Sequence, residues 1–320
     1  MYGRRRFIVG LTALATVRAG AARAKARVPR VEMVSASARS LANFLAGLRE
    51  VGHVPGQTVI VDHKITSGEA DRYDGAVVVL LRSGVDVLVV TSPHGITAAR
   101  RRTGTVAIVA VDLESDPVAS GFVASLARPG SNLTGLFLDL PEVTGKLVQL
   151  IQEAKPGLSR VGVIWDAAIA GAQFQATERA ARAAAIEVRP AAIRIAADVG
   201  PAIETFARDG IGALIALSSP LMRVNQAQID ELTLRHRLPS ITLFDLLERG
   251  RGLLSYGPDL DSMQRRAAVY VDRILKGATV GELPVERPAK FELAVNLRTA
   301  KALGLTLPQS LLLRADRVLQ

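Results

Sequence analysis

Asp116-Pro-Val-Ala-Ser-Gly-Phe-Val-Ala-Ser-Leu-Ala-Arg-Pro-Gly-Ser-Asn-Leu-Thr-Gly135 separates two halves of the chain that repeat one pattern. Just before it, the apolar run 106–111 reads as a strand buried on both faces and ending at Asp112. Asp116-Pro117 breaks that strand, and one or two helical turns are expected to follow. Arg128-Pro-Gly-Ser-Asn132 then forces a turn before 133–136 resumes as strand. A stretch of this kind suits a crossover between two lobes.

Working upstream, strands at 31–35, 58–61, 85–90 and 106–111 alternate with helices at 41–51, 70–82 and 95–102. Runs such as Val85-Asp-Val-Leu-Val-Val90 carry no period-two polarity, as expected of parallel strands covered on both faces. Downstream the alternation returns, with helices at 145–153, 172–185, 203–208 and 226–236 and strands at 161–165, 187–190, 213–217 and 240–243. The expected fold class is α/β, two doubly wound parallel-sheet lobes with a cleft between them.

Ligands of open parallel sheets sit beyond the C-terminal ends of the strands. In the first lobe those ends supply Ser35, Ser37, Thr91, Ser92, His94 and Asp112; in the second they supply Trp165, Asp166, Ser218, Ser219, Phe244 and Tyr256. Thr91-Ser-Pro-His-Gly95 opens a helix, so its hydroxyls and free amides suit a carboxylate, although either hydroxyl also serves as a simple cap. The chain has only thirteen aromatic residues. Trp165, Phe244 and Tyr256 at one sheet end would therefore stack a ring or apolar side chain, or else pack over the sheet edge. Asp112 and Asp166 suit an ammonium group. Asp116, directly before Pro117, reads more simply as a turn cap.

Three landmarks carry a closer resemblance: the stretch 116–135, the pair Leu253-Leu-Ser-Tyr-Gly257 and Ala267-Ala-Val-Tyr-Val-Asp-Arg-Ile-Leu-Lys-Gly277, and Phe291-Glu-Leu-Ala-Val-Asn-Leu-Arg-Thr-Ala-Lys-Ala-Leu-Gly304. From about Arg30 to the C-terminus the chain resembles the substrate-binding proteins of ABC importers, in the branch of uncharacterised and aromatic-amino-acid-type receptors. The resemblance implies a periplasmic binding protein type I-like fold with a multi-strand hinge, crossed near 131–135, 255–257 and 284–288. Residues 27–132 with 257–285 would form one lobe and 133–256 with 286–320 the other. It further implies a small-molecule ligand, an amino acid or similar zwitterion, an ABC permease in the inner membrane as partner, no cofactor and a monomer. The sequence departs from the family at its start: Ser35 and Ser37 run almost directly into helix, and Glu32 stands where the strand is normally apolar or glycine.

The N-terminus reads as an export signal over 1–26. Arg4-Arg-Arg-Phe-Ile8 begins an apolar run to Val17, and Ala22-Arg-Ala24 and Ala24-Lys-Ala26 follow as small-x-small sites. The same residues fit a twin-arginine or a Sec signal. The chain has no cysteine, so no lipid anchor, disulfide or thiol chemistry is expected, and the periplasm is the expected location. Removing 1–26 removes six basic residues and takes the formal charge from +10 to +4. Nucleic acid is thus not an expected partner.

Gly135 and Gly145-Lys146 do not form a phosphate loop, because Leu140 stands where a glycine is required and Leu147 follows the lysine. Gly210-Ile-Gly212 precedes a strand rather than following one, and the four histidines do not cluster. No catalytic residue is expected. Three other readings of the fold remain: a receptor for a signalling partner, an enzyme, and the effector domain of a repressor, the last with an export signal where a DNA-binding helix pair should be.

Overall fold

The computed structural model describes residues 27–112, 115–138, 140–243, 252–288 and 290–320, with the backbone alone at 141 and 142. The expected export signal over 1–26 and the candidate Phe244 lie outside the described residues. In chain order the elements are β1 (Arg30–Ser35), α1 (Ala38–Glu50), β2 (Ile60–Ile65), α2 (Ala70–Leu81), β3 (Val87–Val90), α3 (Pro93–Arg102), β4 (Ala107–Asp112) and β5 (Leu133–Phe137). Then come α4 (Leu140–Ala154), β6 (Arg160–Asp166), α5 (Gly171–Ala183), β7 (Glu187–Ile193), α6 (Val199–Arg208), β8 (Ala213–Ala216), α7 (Pro220–Val224), α8 (Gln226–Arg235) and β9 (Ser240–Thr242). The last are β10 (Leu254–Pro258), α9 (Leu260–Leu275), β11 (Phe291–Asn296), α10 (Leu297–Leu303), α11 (Gln309–Arg314) and β12 (Arg317–Leu319).

The first sheet is parallel throughout, in the order β2-β1-β3-β4-β5. Alternate strand residues go to opposite faces. Val87 and Val89 share a cluster with Phe44 and Leu48 of α1 and with Ala267 and Val271 of α9. Leu88 and Val90 join Tyr73 and Val77 of α2 and Ile96 of α3. Burial on both faces explains the unbroken valine run in the sequence.

The second sheet has the order β12-β11-β10-β9-β8-β6-β7. It is not a plain repeat of the first, because β11 runs antiparallel to β10. The chain leaves this sheet at the end of β10, makes α9 on the first lobe and returns, so it re-enters from the cleft end with its direction reversed.

Two expectations near the crossover are corrected. The strand at 133–136, expected to open the second lobe, is β5, the fifth strand of the first sheet, paired with β4 from Ile108↔Leu133 to Asp112↔Phe137. The chain accordingly leaves the first sheet after Phe137 rather than within 131–135. The residues after Asp116 form turns and no helix. Asp116 Oδ1 accepts the Val118 and Ala119 amides, both at 3.0 Å, and Gly121 turns the chain with φ +66°. The side chain thus caps its own turn.

The third crossing is fastened to the first lobe before it leaves. Glu286 N donates to Gly135 O and Phe137 N to Glu286 O, both at 3.0 Å, so residue 286 lies beside β5 as a short edge partner. Arg266 of α9 grips the Glu286 carboxylate with Nε at 2.8 Å and Nη2 at 2.6 Å, and Tyr270 Oη donates to Pro284 O at 2.6 Å. The guanidinium holds the Glu286 carboxyl below the usual carboxylate range. The third crossing therefore stays with the first lobe as far as Glu286.

Glu32 is the oddity of the first core. Its side chain is fully buried in β1 and accepts from Ser83 Oγ at 2.6 Å; Arg30 Nη1 lies 3.6 Å away, and Oε2 has no hydrogen-bond partner. Burial pushes the carboxyl above the usual range, more than the Ser83 hydroxyl holds it down. A carboxyl with a raised folded-state pKa loses stability as pH climbs from its unfolded value through the folded one. Glu32→Gln is therefore expected to raise the unfolding midpoint at pH 8 by about 1 kcal/mol of stability and to give little gain near pH 4. Thermal unfolding of both proteins at the two pH values checks this.

Candidate ligand site at the strand ends

The predicted residues of the first lobe share one sheet end. Thr91 N donates to Val34 O at 3.2 Å, which places Ser35 beside Thr91, and β4 ends next to them at Asp112. Ser92 is the N-cap of α3 and accepts the Gly95 amide at 3.0 Å, with Pro93 at the first helical position. Its hydroxyl is thus a cap. Thr91 is different: it is buried, and its Oγ1 has no hydrogen-bond partner. A buried hydroxyl left unpaired is costly unless something else fills its needs. His94 lies half-buried in the first turn of α3, 6.0 Å from the Tyr73 ring.

Ser35 and Ser37 are held by neighbours. Ser35 Oγ lies 2.8 Å from His63 Nε2 and donates to Ser37 O at 2.9 Å, while Ser37 Oγ is 3.3 Å from Ser40 Oγ. Burial lowers the His63 imidazole below its ordinary value, so the neutral ring faces Ser35. The histidine went unnoticed in the sequence because β2 is an edge strand whose pairing the sequence does not reveal. Asp112 Oδ1 accepts the Ser115 amide at 3.2 Å.

In the second lobe Asp166 Oδ1 takes the Ala168 amide at 2.9 Å, and Ser219 caps α7 by accepting the Met222 amide at 3.1 Å. Ser218 is clamped by Gln173, whose Nε2 donates to its carbonyl at 3.0 Å and whose Oε1 accepts its amide at 3.1 Å. These contacts set the orientation of the loops after β6 and β8.

Trp165 is half-buried near the end of β6 and stacks on Phe174 of α5, with ring centroids 5.0 Å apart and planes 13° from parallel. Its indole Nε1 is buried and has no hydrogen-bond partner. Tyr256 stacks instead on Phe291 of the neighbouring strand, centroids 6.0 Å apart and 23° from parallel. Burial, then the nearby Asp316 carboxylate, raise its phenol above the ordinary value. Its neighbour Ser255 points to the opposite face of β10, fully buried with an unpaired Oγ. Ser255 shares this strand end with Tyr256 but is not among the candidate ligand residues taken from the sequence.

A concavity of about 520 Å³ lies on the surface between α4 and α5, lined by Lys146, Gln149, Gln152 and small residues. It contains none of the residues expected to touch a ligand. Among the described residues no group of three or more His, Cys, Asp or Glu could hold a metal ion. No described helix is long and apolar enough to cross a membrane.

Residues 32–319 match the family model described as ABC transporter substrate binding protein. The chain belongs to this family. As a solute-binding protein of ABC-transporter type it is 22% identical over 266 residues to a tyrosine-binding protein of Clostridioides difficile, covering 82% of this chain and 75% of that one. Among solved structures it resembles a conserved domain protein of Vibrio cholerae, with 25% identity, TM-score 0.83, 91% of this chain and all of that one. It also overlays on a Streptococcus pneumonia domain in complex with L-Trp, with 19% identity, TM-score 0.82, 91% of this chain and 99% of that one. A ligand-free, open substrate-binding protein of Clostridium difficile gives 20% identity and TM-score 0.64, over 92% of this chain and all of that one. The two-lobed α/β fold of this substrate-binding protein is that of the periplasmic binding protein type I-like structures.

Proposed function

We propose that this protein is an extracytoplasmic receptor that takes up an aromatic amino acid between its lobes and hands it to an ABC permease, with no catalytic step of its own. The observation that carries the reading is Trp165, a half-buried indole at a strand end with its N–H unpaired, backed by Phe174. A flat ring so supported favours a flat ligand side chain, and an unpaired buried donor favours a ligand that accepts a hydrogen bond. Thr91 Oγ1 and the first turn of α3 would take the carboxylate, and Asp112 and Asp166 the ammonium group. The names of the relatives, one binding tyrosine and one in complex with L-Trp, support the same ligand class.

Export to the periplasm rests on the reading of 1–26, and action as a monomer on the resemblance. The family's description, a substrate binding protein of ABC transporters, supports association with a permease.

Thermal unfolding of residues 27–320 against amino acids, nucleosides and sugars tests the ligand class. At a hundredfold excess over its dissociation constant, a native-state ligand adds about 2.7 kcal/mol of stability. L-Tyrosine or L-tryptophan is expected to raise the midpoint by several degrees. A rise with a sugar and none with any amino acid overturns the assignment.

A further inference from the structure

The loop between β2 and α2, Thr66-Ser-Gly-Glu69, belongs to the first lobe but is covered by the second. Gly68 is buried although its neighbours Ser67 and Glu69 are exposed. Its cover is the start of α7: a Cβ on Gly68 would lie 2.7 Å from Pro220 O, 2.8 Å from Pro220 C and 3.2 Å from Leu221 N. The contact is backbone against backbone, closer than any side chain allows. Gly68 also sits at φ +78°, directly after Ser67 at φ +54°.

The place of this contact matters. β2 is the outer edge of the first sheet, and β5, beside which the chain crosses, is the opposite edge. The Gly68–Pro220 contact therefore lies across the cleft from the hinge, where the lobes separate most when they open. Both sides are stiff. Thr66 donates its amide and its hydroxyl to Ser35 O at 3.0 and 3.3 Å, and Glu69 N donates to Thr66 O at 3.1 Å. Opposite, Ser218 is clamped by Gln173 and Ser219 caps α7. Two fixed backbones cannot absorb an added atom by a rotamer change, so an added atom would part the lobes.

We infer that Gly68 is a positioning residue for closure, a side-chain-free stop against Pro220 that sets how far the lobes shut. This rests on the reading that ligand is held by closure. Any larger residue at 68 would hold the lobes apart, so contacts from the second lobe form less completely and affinity falls while each lobe stays folded.

The chain has no cysteine, so paired spin labels at Asp71→Cys on α2 and Val224→Cys on α7 report the opening of the cleft mouth alone. Gly68→Asn adds the side chain while tolerating the left-handed backbone. Gly56→Asn is the control, since Gly56 has φ +83° and nothing within 4 Å of its would-be Cβ. The expected result is a longer label distance in Gly68→Asn than in wild type with L-tyrosine present, an affinity at least about tenfold weaker, and wild-type behaviour in Gly56→Asn. If wild type shows the short distance but fails to bind L-tyrosine, a shift in Gly68→Asn still supports the stop while the ligand reading falls. An unchanged distance in Gly68→Asn, or a wild-type distribution lacking the short distance with and without ligand, overturns the inference.

Discussion

Gly135→Ala is expected to destabilise the protein by about 3–5 kcal/mol, the upper range for one substitution. Gly135 sits in the middle of β5, paired with Ala110 of β4, at φ +138°. A Cβ there would lie 2.0 Å from Ala110 O and 2.6 Å from Ala110 N, atoms of a buried central strand with no freedom to retreat. Two costs add: a backbone conformation that L residues rarely adopt, about 1–3 kcal/mol, and the parting of the β4–β5 ladder. Because Gly135 O also accepts Glu286 N, the anchor of the third crossing loosens with it. Domains have only about 5–15 kcal/mol in total, so the first lobe would be near its limit. Gly145→Ala is the matched control: it stands within α4, its Cβ would meet Ala180 Cβ at an ordinary 3.7 Å, and alanine is the better helix former by about 1 kcal/mol. Urea unfolding should show a large loss for the first variant and none for the second. Equal midpoints would contradict the tight β4–β5 approach.

Trp165→Ala is expected to weaken binding of an aromatic amino acid by about 2 kcal/mol or more, roughly thirtyfold, as for a buried aromatic anchor. The ring would be lost from its stack on Phe174, and the unpaired indole N–H with it. Trp165→Phe separates the two contributions. It keeps a flat ring and removes the donor, so a loss of about 1 kcal/mol is expected, the net worth of one hydrogen bond. Calorimetric titration of the three proteins gives the ranking wild type, Phe, Ala. Identical affinities would place the ligand away from Trp165, and Gln149→Ala would then test the concavity between α4 and α5.

Much of this architecture was legible in the chain. Runs such as 85–90 are apolar on both faces because helices cover both sides of the sheet, and that pattern survives in sequence. Sheet membership does not. A buried strand such as 133–137 reads the same in either sheet, so only its pairing with β4 shows which lobe owns it. After Asp116, where one or two helical turns are expected, the Asp116 cap and Gly121 set turns instead.

At the site, the predicted hydroxyls lie at the strand ends, but the structure distributes their roles. Ser92 and Ser219 are caps, Ser35 is tied to His63, and Thr91 keeps an unpaired hydroxyl. A sequence cannot separate a capping serine from one that waits for a ligand, because the residue type is the same and only the partner differs. Gly68 left no signal at all. Its role depends on Pro220, about 150 residues away and in the other lobe.

Trp165 is the only tryptophan of the chain, which makes its emission the most direct report on the proposed cleft. Wild-type protein, residues 27–320, would be titrated with L-tyrosine and L-phenylalanine under excitation selective for indole, beside calorimetry on the same samples. The expected result is a saturable change in Trp165 emission with the calorimetric dissociation constant and a stoichiometry near one. Heat of binding without any change in Trp165 emission, or no binding of an aromatic amino acid by either method, would contradict it.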